Sequence, residues 1–268
     1  MLSVIILTKN EEERIKVCLE SVKWVDEIII LDNGSTDSTL DIAKQYTNKI
    51  YKFRDLDFAT WRNKGKDIAT QDWLLYIDPD ERVLLPLREE IVEIIQSNRF
   101  SAYALSRKNV ILGRLVSYNA FYPDWVIRLL KKSELKRWVG KIHEFPQFNG
   151  ELGYSKNSLL HLTHRDLDRI VLKSLEWSKI EAKLRLDANH PKMSGWRFIR
   201  ILFSETFHQG ITRRGFFGGT VGIIDSILQT FSMFMTYVRL WQFQQPESLI
   251  AVYKDIDKNL LKNNFTYP

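Results

Sequence analysis

Four short apolar runs, residues 4–7, 27–31, 49–53 and 73–77, alternate with stretches of helical length and pattern at 11–22, 36–46 and 59–69. A strand buried on both faces reads as a continuous apolar run, so this rhythm predicts an α/β chain with a mostly parallel central sheet flanked by helices. Punctuation agrees. Asn33-Gly34 marks a turn after the second run, Asp37 or Ser35 is placed to cap the next helix, and Pro86 suits the first turn of a helix reaching about residue 97.

Beyond residue 101 the texture changes. Residues 103–110 and 125–130 read as strands, and loops around Gly113 and Gly140 separate less regular material. This predicts an extension of the same sheet with long site loops, giving one domain over 1–165 with halves 1–98 and 99–165. A helical C-terminal extension follows over 166–268: residues 167–186 carry aliphatics at three- and four-residue spacing, and residues 196–241 are rich in Phe with Arg197, Arg200, Arg213 and Arg214 interspersed.

The uncharged run 226–238, between Asp225 and Arg239, is too short to span a bilayer, which takes about 20 apolar residues. The N-terminal run lacks a basic preamble and a small-residue cleavage site, so it reads as a buried strand and not a secretion signal. Cys18 is the single cysteine, which excludes an internal disulfide and suits a reducing compartment; its apolar neighbours predict burial. The net charge of +6 favours an anionic ligand or surface, yet the basic residues are scattered and form no nucleic-acid-binding pattern.

In a parallel α/β sheet the ligand lies beyond the carboxyl ends of the strands. The residues there are Thr8-Lys9-Asn10-Glu11, Asp32-Asn33-Gly34-Ser35, Asp55-Leu56-Asp57 and Asp78-Pro79-Asp80-Glu81-Arg82. Two carboxylates one residue apart, stiffened by Pro79, would face the same way if extended and present oxygens to a hard cation that bridges phosphates. A solvated turn feeding the next helix is the plain alternative. Arg62, Asn63 and Lys64 on the third helix bring positive charge near the phosphates. No glycine-rich phosphate loop follows the first strand, which leaves a metal as the neutraliser of a diphosphate.

These segments resemble the inverting glycosyltransferases of family 2, in particular the branch containing lipopolysaccharide core sugar transferases. The resemblance rests on residues 3–12, 24–37, Arg62-Asn63 and 72–82, and farther on Tyr122-Pro123-Asp124, Arg128-Leu129 and Ile142-His143-Glu144. It is strong over the first ninety or so residues and looser to about Leu184. It implies a GT-A fold, a nucleotide-diphosphate sugar donor with UDP-sugars favoured, and Mg2+ or Mn2+. Asp32 would contact the base, Asp78 the ribose and donor sugar, and Asp80 the metal and diphosphate, with Thr8, Asn10, Glu11, Gly34, Ser35, Arg62 and Asn63 completing the donor site. Pro79 stands where the family usually has a small residue. The stretch Gly215-Phe216-Phe217-Gly218-Gly219 lacks the acid that this branch often carries there.

Inversion needs a base beside the acceptor hydroxyl and neutralisation of the leaving phosphates. Glu144 is the first candidate base and Asp124 the second; each has a plain competitor as a loop or turn residue. His161 and His164 would chelate together only in a helix, and Leu159-Leu160 argues for a strand. His161 is expected to complete a metal shell with Asp80 and Asp78 or to touch the diphosphate, unless its role is structural. Tyr122, Trp125 and Trp138 are candidate sugar platforms, with core burial as the alternative.

A saccharide or lipid-linked acceptor in cell-envelope glycan synthesis follows from the resemblance, with a cytoplasmic location. The Phe- and Arg-rich segment suits an anionic membrane surface on the inner face of the cytoplasmic membrane; packing on the catalytic domain or a homodimer surface would use the same residues. A nucleotidyltransferase would carry a glycine- and basic-rich first loop, which is absent. A non-catalytic sugar-binding protein would not need Asp32, Asp78 and Asp80 together.

Overall fold

The computed structural model describes residues 1–54, 57–116, 124–140, 144–262 and 265. Asp55, Leu56, Tyr122, Pro123, Ile142 and His143, all named above, lie outside them. The chain divides into two compact units, Met1–Arg165 and Asp166–Pro268.

The first unit runs β1 (Leu2–Thr8), α1 (Glu12–Val22), β2 (Glu27–Asp32), α2 (Thr39–Ala43), β3 (Ile50–Lys52), α3 (Phe58–Ile68), β4 (Trp73–Ile77), β5 (Glu81–Arg82) and α4 (Leu85–Ser97). It continues with β6 (Ala102–Ile111), β7 (Arg114–Val116), β8 (Asp124–Lys131), β9 (Leu135–Val139), β10 (Phe145–Phe148) and β11 (Leu152–Thr163). Among the described residues, nine strands form one sheet in the order β3-β2-β1-β4-β8-β6-β11-β5, with β7 on β6, and β9 pairs with β10 separately.

The parallel expectation holds for β3, β2, β1 and β4. The second half is mixed: β8 runs antiparallel to β4 and β6, while β11 is parallel to β6. β7 likewise returns antiparallel along β6, which a short turn allows and a helical crossover does not require.

Side chains alternate across the pleat, so Ile5 and Ile6 enter opposite cores. Val4, Ile6, Ile30, Leu75 and Ile77 pack with Ile15, Leu19, Leu87 and Ile91 of α1 and α4. Ile5, Leu7, Ile29, Leu31, Leu74 and Tyr76 pack on the other face with Ala59 and Trp61 of α3. At Gly65 a Cβ would stand 2.6 Å from Ile5 Cγ2, so glycine allows α3 to approach the sheet this closely.

Local signals account for the helix ends. Asp57 caps α3 by accepting from Thr60 N at 2.9 Å, and Asn98 ends α4 in the left-handed region at φ 49°. Pro86 occupies the first turn of α4 as expected. The second helix is shorter than its pattern: Ser38 and not Asp37 or Ser35 is at its N-cap position, while Asp37 accepts from Thr39 N at 3.0 Å and from Glu12 N at 3.2 Å, and Ser35 accepts from Asn10 N.

The second unit contains α5 (Leu167–Asp187), α6 (Gly195–Phe207), a π turn at His208–Thr212, a 3-10 turn at Gly215–Phe217, α7 (Gly219–Phe243) and α8 (Leu249–Lys262). Ala182, Met193, Ile201 and Leu240 form its small core. At Gly215 a Cβ would meet Ser226 Oγ at 1.8 Å, so the glycine-rich stretch serves the tight link between α6 and α7.

The expectation that the apolar run is too short to span is corrected here. α7 is 25 residues long and, by length and composition, is the one helix among the described residues able to cross a membrane. The flanking charges do not end it: Asp225 is buried and accepts from Gln229 Nε2 at 3.3 Å, and Arg239 donates to Ser178 Oγ at 2.9 Å.

Candidate active site

The loops after β1 and β2 are tied to each other. Asn10 N donates to Ser35 Oγ at 2.9 Å, Thr36 N to Asn10 Oδ1 at 2.8 Å, and Glu11 N to Thr39 Oγ1 at 2.7 Å. Asn10 takes a left-handed conformation at φ 55°, which Asn tolerates better than most residues. Asp32 is fully buried and accepts from Gly34 N, Ser35 N and Ser35 Oγ, so its carboxylate holds its own loop. Thr8 Oγ1, at the end of β1, is buried with no hydrogen-bond partner among the described residues.

Asp78-Pro79-Asp80-Glu81 is a turn, closed by Glu81 N donating to Asp78 O at 2.9 Å. The two aspartates therefore do not face the same way, as extended geometry would have required. Arg82 is buried and donates to the carbonyls of Pro79, Glu81 and Arg14, and Leu162 N donates to Asp80 O at 2.9 Å, fixing the turn against α1 and β11. Cys18 is buried beneath it, 3.6 Å from Asp78 O, and burial pushes its thiol pKa up.

Asp78 lies between two guanidiniums. Arg62 Nη2 is 3.3 Å from Oδ1, and Arg128 Nη2 is hydrogen-bonded to Oδ2. Burial alone would raise the Asp78 carboxyl, but Arg128 and Arg62 outweigh it and hold it well below the usual range; Asp78 in turn raises Arg128, against burial. Glu81, buried beneath, accepts from Asp78 N at 2.9 Å and approaches Arg128 at 3.4 Å and Arg107 at 3.5 Å.

Asp80 faces His161, with Arg14 Nη1 3.9 Å from its Oδ2. Cross-strand pairing of β11 with β5 and β6 sets His161 beside Glu81 and Asn109. His161 Nε2 lies 3.5 Å from Asp80 Oδ2, and His161 Nδ1 lies 2.7 Å from Asn109 Oδ1. Asn109 Nδ2 donates to Asp124 Oδ2 at 3.0 Å, an oxygen that also accepts from Arg107 Nε at 2.8 Å. A carboxylate only accepts, so the Asn109 carbonyl must face His161, and Nδ1 must carry a proton. A neutral His161 then points its Nε2 lone pair at a carboxylate, an arrangement reconciled by a second ring proton or by a cation between them. Burial works against ionised Asp80, but His161 holds its carboxyl below the ordinary range.

Glu144 precedes β10, and its Oε1 accepts from Arg62 Nε at 3.0 Å. One buried guanidinium thus joins the expected base to Asp78, with its carbon 5.6 Å from the Tyr76 ring centre and 5.0 Å from that of Trp138.

The structure brings Asp78, Asp80, Arg62, Glu144 and His161 to one edge of the sheet, but not as a three-ligand cage of Asp78, Asp80 and His161. Among the described residues no three Asp, Glu, His or Cys side chains gather to hold a metal unaided, and each Asp78 oxygen already faces an arginine cation, which disfavours a metal there while leaving a lone pair for a neutral donor. Asp80 and His161 fit a Mg2+ or Mn2+ ion that takes its remaining ligands from phosphate and water. Asp124 is buried between Arg107 and Asn109, the setting of an anchor for the network. Asn63, expected at the phosphates, uses both amide functions on Trp138, donating to its O at 3.0 Å and accepting from its N at 2.7 Å. Trp138 is buried, whereas Trp125 is exposed and packs edge-on to Tyr154.

The family model for glycosyl transferase family 2 matches residues 3–152, more than half of the chain. The chain belongs to glycosyltransferase family 2. Among the relatives of this family 2 glycosyltransferase, an uncharacterized glycosyltransferase of Rickettsia typhi is 30% identical over 253 residues, 89% of this chain and 86% of the relative. Lipopolysaccharide core biosynthesis glycosyltransferase LpsC of Rhizobium meliloti is 26% identical over 257 residues, 90% of this chain and 92% of LpsC. The solved structure of S. aureus TarS with UDP-GlcNAc matches 100% of this chain and 93% of that one, with a TM-score of 0.50 and 15% identity. The last is a likeness of fold, the GT-A arrangement.

Arg107, Asn109 and Glu81 carry much of this candidate site, yet their residue types and positions in the sequence assign them no role. Arg107 and Asn109 sit two apart on a strand, a spacing that places both on one face. That was their sole local signal, since their partners are distant in sequence.

Proposed function

We propose that this family 2 enzyme is an inverting glycosyltransferase that takes a sugar from a nucleotide-diphosphate donor, UDP-sugars favoured, with Mg2+ or Mn2+. The observation that carries this reading is the turn at the end of β4, which separates a carboxylate held between two buried arginines from one that faces a histidine, with Arg14 farther off at 3.9 Å. Asp80 and His161 would hold the ion, and the ion would supply neutralisation of the departing diphosphate. Asp78, kept ionised by Arg62 and Arg128, is suited to accept hydrogen bonds from ribose or donor-sugar hydroxyls. Thr8 Oγ1, Asn10, Glu11 and the Asp32–Ser35 loop form the rim for the nucleoside. Asn63 and Asp124 support the site through Trp138 and Asn109.

Glu144 takes the proton of the acceptor hydroxyl as that oxygen bonds to the anomeric carbon. The carbon–oxygen bond to the β-phosphate breaks on the opposite face, and the configuration inverts. Arg62 orients Glu144 while touching Asp78, so it links the acceptor and donor sides. The similarity to LpsC, a lipopolysaccharide core biosynthesis glycosyltransferase, supports a saccharide or lipid-linked acceptor in cell-envelope glycan synthesis.

The test is a panel of nucleotide sugars, UDP-sugars first, screened for binding with and without Mg2+ or Mn2+, then for hydrolysis or transfer with the best donor. Metal-dependent binding followed by an inverted product is the expected result. Indifference to every activated sugar in both conditions overturns the reading.

A further inference from the structure

α6, the two short turns and α7 form a packed hairpin whose outer side is apolar where a soluble unit would be polar. Along α6, Trp196, Ile199, Phe203 and Phe207 recur at three- and four-residue spacing. They lie on the side away from buried Ile201, and Trp196 and Phe203 are each 71% exposed and Phe207 62%. The turn adds Phe217, 72% exposed, and α7 continues the pattern with exposed Ile223 and Ile227. Scattered exposed apolar residues are ordinary, but four exposed large side chains in a row on one face of α6, followed by more on the turn and on α7, mark an interaction surface.

Charge identifies its occupant. Residues 191–224 contain five basic side chains, Lys192, Arg197, Arg200, Arg213 and Arg214, against one acid, Glu205. Arg200 lies within the apolar stripe and Arg214 at the hairpin tip, both exposed. In a two-fold dimer the same patch meets itself, so these cations would face each other with little to offset them. An anionic bilayer surface complements both properties: aromatic rings settle at the headgroup level and arginines pair with lipid phosphates. The opposite side of α7 keeps Asp225, Ser226, Thr230 and Thr236 buried within the unit. That packing favours seating on the bilayer over crossing it.

We infer that the α6–α7 hairpin is a peripheral docking surface for anionic phospholipid, with Trp196, Phe203, Phe207 and Phe217 entering the headgroup region and Arg200 and Arg214 contacting phosphate. It goes beyond the reaction proposed above, because nothing in it depends on the donor or the base.

The experiment is co-sedimentation of the full chain with phosphatidylcholine vesicles, with and without phosphatidylglycerol, across a salt series. Binding should require phosphatidylglycerol and weaken with salt. Arg200→Glu and Arg214→Glu should each lower partitioning about fivefold or more, and Phe203→Glu should abolish it. Circular dichroism and nucleotide-sugar binding of the variants should match the parent, which separates failure here from failure of the proposed function. Equal sedimentation with both vesicle types, no sedimentation, or retention that high salt cannot release but detergent can would each overturn the inference. So would a dimer, seen by light scattering without lipid, that Phe203→Glu dissociates.

Discussion

Asn109 fixes which nitrogen of His161 bears the proton: its carbonyl lies 2.7 Å from Nδ1 because its amide is turned toward the acceptor-only carboxylate of Asp124. Nε2 is left to face Asp80. Asn109→Leu should allow the other tautomer, seen in the imidazole nitrogen shifts of the metal-free protein. Mn2+ affinity, followed by electron paramagnetic resonance, should fall roughly 10–100-fold. Unchanged shifts and affinity would remove Asn109 from this role.

Glu144→Gln retains an oxygen for Arg62 but cannot take a proton. Transfer should fall about 10²–10⁴-fold with donor binding nearly unchanged, measured by steady-state kinetics and titration calorimetry. Full activity in this variant sinks Glu144 as the base. Asp124→Asn, by contrast, should act through the Asn109–His161 pair and alter metal affinity.

Asp80→Asn should weaken divalent-ion binding and turnover together, while Asp78, on its arginines, keeps its ion pairs. Calorimetric titration with Mn2+ and UDP checks this. A variant that loses neither binding nor turnover contradicts the assignment.

Arg128 is the buried cation shared by Asp78 and Glu81. Arg128→Met leaves both acids under-neutralised and should cost about 3–5 kcal/mol in urea unfolding. A change within the range of surface substitutions, about 0.5 kcal/mol, would mean that Arg62 and Arg107 suffice.

Glu27 is a structural acid at the other end of the sheet. Burial would raise its pKa, but hydrogen bonds from Lys49, Ser3 and Thr70 bring it from 4.5 to about 2. Because the folded value is the lower one, its contribution is complete above pH 4.5 and is lost as pH falls toward 2. The loss should be on the order of 2–3 kcal/mol, and Glu27→Gln should flatten the acid limb of the stability profile measured by denaturant unfolding.

Much of the first ninety residues was legible because each strand is a buried parallel one and announces itself as an apolar run. Trp73–Ile77 has the bounds that its pattern predicts. The Asp78–Asp80 turn was not legible, since extended and turned forms of Asp-Pro-Asp look alike until Arg82 and Leu162 are known to hold it. Asn63 and Trp138 are open to two readings for a similar reason: an amide and an indole suit a ligand as well as they suit each other. The network from Asp124 to His161 depends on β8 and β11 flanking β6, a pairing that no local spacing encodes. Asp225 and Arg239 look like the ends of an apolar run within α7, because their partners Gln229 and Ser178 lie on another turn and another helix.

The knitting of Asn10 to Ser35 and Thr36, and of Glu11 to Thr39, makes the rim above the first two strands one mechanical piece. Altered nucleoside selectivity is therefore a paired problem: a residue exchanged in one segment shifts the backbone anchors of the other. Engineering that grafts either segment alone should yield a distorted rim, and grafting both together should keep it whole.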